Sequence, residues 1–152
     1  MTALTGRTHA KHIKVLIDSV APTLTDVTAY VNTIGTVGLA FDTQDVTAFS
    51  DGTKNVVIGQ PAAPLTIGGP FDSVGHAIFI AINGTGQTLS LDIQIGMRAA
   101  WESGAPQFGI TSSATSGYVM SGYTVDMGAN TWSATLDVYG AVAPAWGTTA
   151  ES

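Results

Sequence analysis

Apolar and polar positions alternate with period two along much of the chain, the pattern of half-buried strands. "HIKVLID" puts Ile13, Val15 and Ile17 on one side. "TLSLDIQIGM" aligns Leu89, Leu91, Ile93, Ile95 and Met97 against Ser90, Asp92 and Gln94. "TWSATLDVYGAV" sets Trp132, Ala134, Leu136 and Val138 against Thr131, Ser133, Thr135 and Asp137. "GYVMSGYTVDMG" reads as a fourth strand, apolar in part on both faces. Strands with one wet face predict a mainly β protein, an antiparallel β-sandwich or barrel. One segment departs from the pattern. "FDSVGHAIFIAING", residues 71–84, offers Asp72 or Ser73 as an N-cap ahead of a compact apolar block. It reads as one short flanking helix, although Ile78, Ile80 and Ile82 would equally suit a strand. Gly and Pro cluster at 59–64, 68–70, 104–109 and 144–147, marking loops or strand ends. No linker interrupts the pattern, so residues 1–152 read as a single domain.

The tetrapeptide "DVTA" occurs twice, from Asp26 and from Asp45. Repeat architectures need at least three copies to bury a continuous core, so the pair reads as two strand starts. The second copy runs into "SDGTKNVVIGQPAAPLTIGG", a turn at Ser50–Gly52 followed by an apolar, Pro-stiffened stretch. Residues 50–66 are therefore expected as an extended loop, with a return strand from Leu65. So apolar an excursion calls for cover, and another subunit is expected to supply it. The candidate contact residues are Asp51, Gly52, Lys54, Val56, Val57, Ile58, Pro61 and Pro64. Trp146 near the end and Lys11 in an N-terminal arm, residues 1–12, join them.

Composition sharpens that expectation. Only 11% of the 152 residues are charged, against roughly 25% in an ordinary soluble domain. Thr, Ser, Asn and Gly supply the polar surface instead, as suits a protein covered by more protein. Net charge is −6, from five Lys and Arg against eleven Asp and Glu. A protein gripping nucleic acid by its phosphates needs a cationic footprint, which is lacking. Arg7, Lys11 and Lys14 fall near the start, leaving only Lys54 and Arg98. There is no cysteine for disulfides or thiolate metal sites. No apolar run reaches the ~20 residues of a membrane helix, and "MTALTGRTHAKH" lacks the apolar core of a signal peptide. Synthesis in the cytoplasm, with no membrane partner, is the expectation.

No constellation supports catalysis, a metal or a cofactor. The Asp residues fall at turns and strand starts (Asp26, Asp45, Asp51) or on polar strand faces (Asp92, Asp137), and Glu occurs only at 102 and 151. Hydrolysis by a carboxylate pair needs two acids flanking one bond. Asp72, Ser73 and His76 crowd within five residues, whereas triads draw on separate elements; they read as a capped helix start. His9 and His12 lack a third ligand, and "DTQDVTAFSDG" with Asp42, Asp45 and Asp51 lacks the closing Glu of a calcium loop. "NGT" at Asn83–Thr85 reads as a turn. Trp101, Trp132, Trp146, Tyr118 and Tyr123 could pave a sugar-binding face, but at strand spacing they read first as core or inter-subunit packing.

The chain also carries a soft but extended family pattern from Lys11 to Thr148. "HAKHIKVLID", "LTDVTAYVNTIG", "DTQDVTAFSDGTKNVVIGQ" and "PLTIGGPFD" follow one another, and "SGYTVDMGANTWSATLDVYG" ends the chain with a Trp/Gly tail. This order resembles the tail tube (major tail) proteins of long-tailed bacteriophages and related small phage virion proteins. The resemblance implies a β-sandwich flanked by a helix, assembling with copies of itself into hexameric rings that stack into a tube. It further implies other virion proteins as partners, a place in the virion, and DNA only as non-sticking cargo of a β-lined channel. An acidic lumen repels phosphate, and Asp92 and Asp137 are the candidate lumen-facing acids. The stretch after the helix block is shorter than in larger relatives. A capsid decoration or cement protein of the same fold is the alternative, and a carbohydrate-binding β-sandwich the third reading.

Overall fold

The computed structural model describes residues 13–20, 23–96 and 104–151. Lys11, the rest of the arm 1–12, Met97 and Trp101 lie outside them. The described chain is mainly β, as the alternation predicts. Eleven strands and one α-helix follow in the order β1 (Ile13–Val20), β2 (Thr23–Asp26), β3 (Thr33–Ile34), β4 (Ala40–Asp45), β5 (Val56–Ala62), β6 (Leu65–Pro70), α1 (Ser73–Ile82), β7 (Leu91–Ile95), β8 (Gln107–Ile110), β9 (Ser116–Asp126), β10 (Thr131–Gly140) and β11 (Ala145–Gly147). One five-stranded sheet has the order β11-β8-β7-β1-β2 and a four-stranded sheet the order β3-β6-β10-β9. All pairings are antiparallel. The two sheets close over one core: Val15, Ile17, Leu91, Ile93, Phe108 and Ile110 from the first face Leu65, Ile67, Tyr118, Met120, Trp132 and Leu136 from the second. A bridge between Leu89 and Tyr118 links the sheets along one side. This is a sandwich with one flanking helix.

Strand β10 follows its predicted alternation residue by residue, with Trp132, Ala134 and Leu136 buried and Thr131, Ser133, Thr135 and Asp137 exposed. Strand β9 explains its two-faced sequence by a bulge. Thr135 pairs with Gly122 but Leu136 pairs with Met120, so Ser121 is the extra residue. An inserted residue reverses the in/out parity of the strand beyond it. Tyr118 and Met120 therefore point inward before the bulge, and Tyr123 and Val125 pack on the core after it.

Segment 71–84 resolves as a helix. Asp72 is the N-cap, its Oδ1 accepting from the Val74 amide at 2.8 Å and the Gly75 amide at 3.2 Å. Phe79 and Ile82 are the helix's large buried side chains, and α1 packs against β1 and β9. Phe79 lies 4.3 Å from the Trp132 ring centroid and 5.7 Å from that of Tyr123. The Trp132 indole donates to the Tyr30 carbonyl at 3.1 Å, so no polar atom of this aromatic cluster is sacrificed by burial. Gly75 lets the helix approach Tyr30; a Cβ there would stand 2.9 Å from the Tyr30 ring.

Two expectations are corrected. The "DVTA" pair marks strand ends, since Asp26 closes β2 and Asp45 closes β4. Each Asp Oδ1 accepts from the amide two residues on, of Thr28 and of Thr47, both at 2.9 Å. Such Asx turns stop a strand by offering its backbone a side-chain partner. The second correction concerns β7. Its predicted wet face is buried: Ser90, Asp92 and Gln94 are all enclosed. Asp92 thus presents no charge to any channel, because the central strand β7 is covered on both sides. The loop at Ser112 and the chain end at Glu151 supply part of that cover, Ser112 bonding to Ser90 and Glu151 to Asp92.

Candidate assembly interface

The stretch expected as a loop at 50–66 is the second half of a β-hairpin. Among the described residues, strands β4 and β5 pair only with each other, from Ala40↔Ala62 to Asp45↔Val56, and every residue of both is exposed. Strand β5, "VVIGQPA", is apolar on both faces. Val56 and Ile58 share one face with Thr43 and Asp45, while Val57 shares the other with Gln44. A strand with apolar residues on both sides normally lies buried on both sides, yet Ile58 is 66% exposed and Phe49 at the tip wholly so. Phe41, Val46, Val56 and Val57 extend the surface. Pro61 faces Phe41 beside a bulge, a place where its missing N–H costs no ladder bond.

The base of the hairpin is built into the core. Ala63 and Leu65 are buried, Leu39 packs against the same cluster, and the Tyr118 hydroxyl donates to the Ala63 carbonyl at 2.9 Å. Burial pushes the Tyr118 phenol pKa well above its ordinary value. Pro64, exposed between two buried neighbours, turns the chain into β6. Trp146 on β11 packs its ring 5.0 Å from that of Phe108 and touches the Cβ position of Gly38, close before β4. It is half exposed, and adds an aromatic shoulder at the hairpin's root.

The tip is held by polar bonds. Asp51 Oδ2 accepts from the Ala48 amide at 2.7 Å and from the Asn55 side-chain amide at 2.9 Å. The Asn55 amide donates to Thr47 Oγ1 at 2.7 Å, and the Val46 amide to the Asn55 carbonyl at 3.0 Å. The Ala48 amide, then Asn55, hold the Asp51 carboxyl below the usual carboxylate range, and Thr47 does the same for Asp45. Lys54 lies 3.9 Å from Asp45, an exposed pair of small energetic weight. Gly52 has open space around it. Asp51, Lys54 and Gly52 therefore shape the tip, while Val56, Val57 and Ile58 form its apolar stem.

Phe41, Val46 and Phe49 were not among the residues singled out from the sequence. The signal available was "AFDTQDVTAF" ahead of the turn, the pairing partner that "VVIGQPA" required. Helix α1 also turns Val74 and Ile80 outward, with Phe71 just before it.

The other candidate chemistry is dispersed. Asp72 is a cap, Ser73 is exposed at the helix start, and His76 Nδ1 lies 3.0 Å from the Tyr123 hydroxyl. Trp132 and Tyr118 are core residues and cannot pave a sugar platform. Among the described residues, no group of three or more His, Asp or Glu side chains is arranged around a metal position, and no helix is long and apolar enough to cross a membrane. Asp137 stays exposed, its Oδ2 accepting from Ser121 Oγ at 2.7 Å. Comparison of the chain with known protein families and with curated proteins returns no match.

Proposed function

We propose that the protein is a structural subunit of a phage virion, a tail tube protein that assembles with copies of itself into stacked rings around a channel for DNA. The observation that carries this reading is the hairpin β4–β5: a two-stranded ribbon, apolar on both faces and at its tip, with no cover from its own chain among the described residues. An isolated two-stranded hairpin is marginal in water, and exposed apolar patches of this kind mark protein contacts. A neighbouring subunit supplies the missing cover.

The outer face of the four-stranded sheet suits a channel lining. Thr131, Ser133, Thr135 and Asp137 present hydroxyls and one negative charge. No Lys or Arg occurs in any of that sheet's strands. A surface of that kind repels phosphate weakly and offers it no ion pairs. The low charge of the whole chain and the resemblance to tail tube proteins point the same way. Negative-stain microscopy of purified protein at rising concentration tests the proposal. Hollow tubes or rings with a central channel are expected; particles that only decorate an added capsid shell would favour the cement-protein alternative instead.

A further inference from the structure

On the outer face of the five-stranded sheet, two carboxylates are wholly enclosed. Asp18 and Asp92 are each 0% exposed. Strand register puts Leu16 opposite Asp92, and the Asp18 amide donates to the Ser90 carbonyl. Asp18 therefore faces Ser90 and is the diagonal neighbour of Asp92 on one face, about 7–8 Å apart along the backbone. That spacing lets two carboxylates converge on one ion with metal–oxygen distances near ~2.4 Å.

Each acid is only half satisfied. Asp18 Oδ2 accepts from the Ser90 amide at 3.2 Å and from Ser112 Oγ at 3.3 Å. Asp92 Oδ2 accepts from Gln94 Nε2 at 2.8 Å and from the Glu151 amide at 3.3 Å. Both Oδ1 atoms are buried and have no partner among the described residues. Among the described residues no cation answers them: Lys14 pairs with Asp26, and Lys54 with Asp45. Burying an uncompensated carboxylate costs several kcal/mol, and two side by side repel. A bound cation offsets that cost.

We infer that Asp18 and Asp92 bind one calcium ion through their unpartnered Oδ1 atoms. The two negative charges match a divalent cation. Beside the two acids the groups able to ligate a cation are oxygens, among them the Ser90 and Ser112 hydroxyls, which bond each other at 3.0 Å, and oxygen-only sites select hard cations. Wholly buried carboxylates with irregularly placed oxygen neighbours suit Ca2+, whereas Mg2+ keeps several waters in a strict octahedron. Two carboxylates fall short of a three-ligand transition-metal cluster, but hydroxyl and carbonyl oxygens complete a calcium shell. The ion would tie the Ser112 loop and the Glu151 chain end to the sheet. This inference does not depend on the assembly proposal.

Calcium chloride titrated calorimetrically into the chelator-treated full chain tests it. One ion per chain is expected, with the melting temperature rising by roughly 5–10 °C at a concentration about 100 times the Kd. Magnesium should give a much smaller rise. Asp18→Asn and Asp92→Asn should each abolish the heat, while Asp42→Asn, at an exposed acid, should not. Should an Asn variant fail to fold, Tb3+ luminescence lifetimes in H2O and D2O on the wild-type chain decide. A buried site leaves few bound waters; an ion keeping most of its hydration shell contradicts the assignment. Absence of calcium heat, or heat that survives in both Asn variants, overturns it. So does a wild type indifferent to calcium whose Asn variants melt higher.

Discussion

The hydroxyl of Tyr118 sits under the hairpin's base, 2.9 Å from the Ala63 carbonyl it bonds. Tyr118→Phe leaves that carbonyl buried without its donor, which costs about 1–3 kcal/mol and should lower the melting temperature without altering the fold. The same burial raises the phenol's pKa. Because the folded chain holds this proton more tightly than the unfolded one, the stability it contributes is complete below the unfolded value of about 10 and falls as pH rises beyond it. Wild type should therefore lose stability above pH ~10 more steeply than Tyr118→Phe in denaturant titrations. At the other end of the core, Asp72 satisfies two helix amides. Asp72→Ala is expected to cost about 1 kcal/mol, read as a lower denaturant midpoint with an unchanged slope. Asp45 and Asp51 act in the tip rather than the core. Their carboxyls are held below the ordinary range by Thr47, and by Ala48 with Asn55. The order they confer is present above the unfolded carboxylate pKa of about 4 and is lost as pH falls through the depressed values. Measured against the intrinsic exchange rate, protection of the Ala48 and Asn55 amides should fall as pH drops below about 4, while the core strands stay protected.

At the scale of the element, strands whose two faces differ were legible in advance. β10 and the inner faces of β1 and β7 follow period two because one side meets the core and the other meets water or polar groups. The elements that misled have identifiable causes. Alternation in β7 reports polarity, and polarity is not exposure: Asp92 and Gln94 are polar yet enclosed, because a distant loop and the chain end fold over them. The bulge at Ser121 shifts the parity of β9 without a turn residue to announce it. The "DVTA" repeat signals an Asx turn, a local hydrogen bond equally compatible with a strand's start or its end. The hairpin was half visible. Apolar excess in "VVIGQPA" pointed to cover by another chain, but pairing with "AFDTQD" is a long-range choice that no local pattern encodes. Its boundaries now define a clean excision. Replacing residues 41–61 by a short Gly-containing turn spares Leu39, Ala63 and Leu65, so near-UV circular dichroism should persist while assembly is lost. Deleting Gly52–Pro64 instead removes buried Ala63 and the acceptor of Tyr118, and should destabilise the sandwich as well.

For the whole molecule, a core closed between two sheets and a helix carries an apolar ribbon that the rest of the described chain leaves bare. A low charge density gives the surface little to oppose association, and the outer face of the four-stranded sheet, the proposed channel lining, is polar and exposed along β10. Rings and stacks arise when a projecting element of one copy meets a different surface of the next, a heterologous contact that closes laterally and repeats axially. In the proposed assembly the hairpin makes this contact. Sedimentation velocity of the wild-type chain beside Phe49→Asp and Ile58→Asp, run across a wide concentration range, tests it most directly. Large assemblies are expected for wild type, and for both variants monomers with wild-type circular dichroism and melting temperature. A wild type that stays monomeric at the highest concentration, or variants that assemble as readily as wild type, would contradict it.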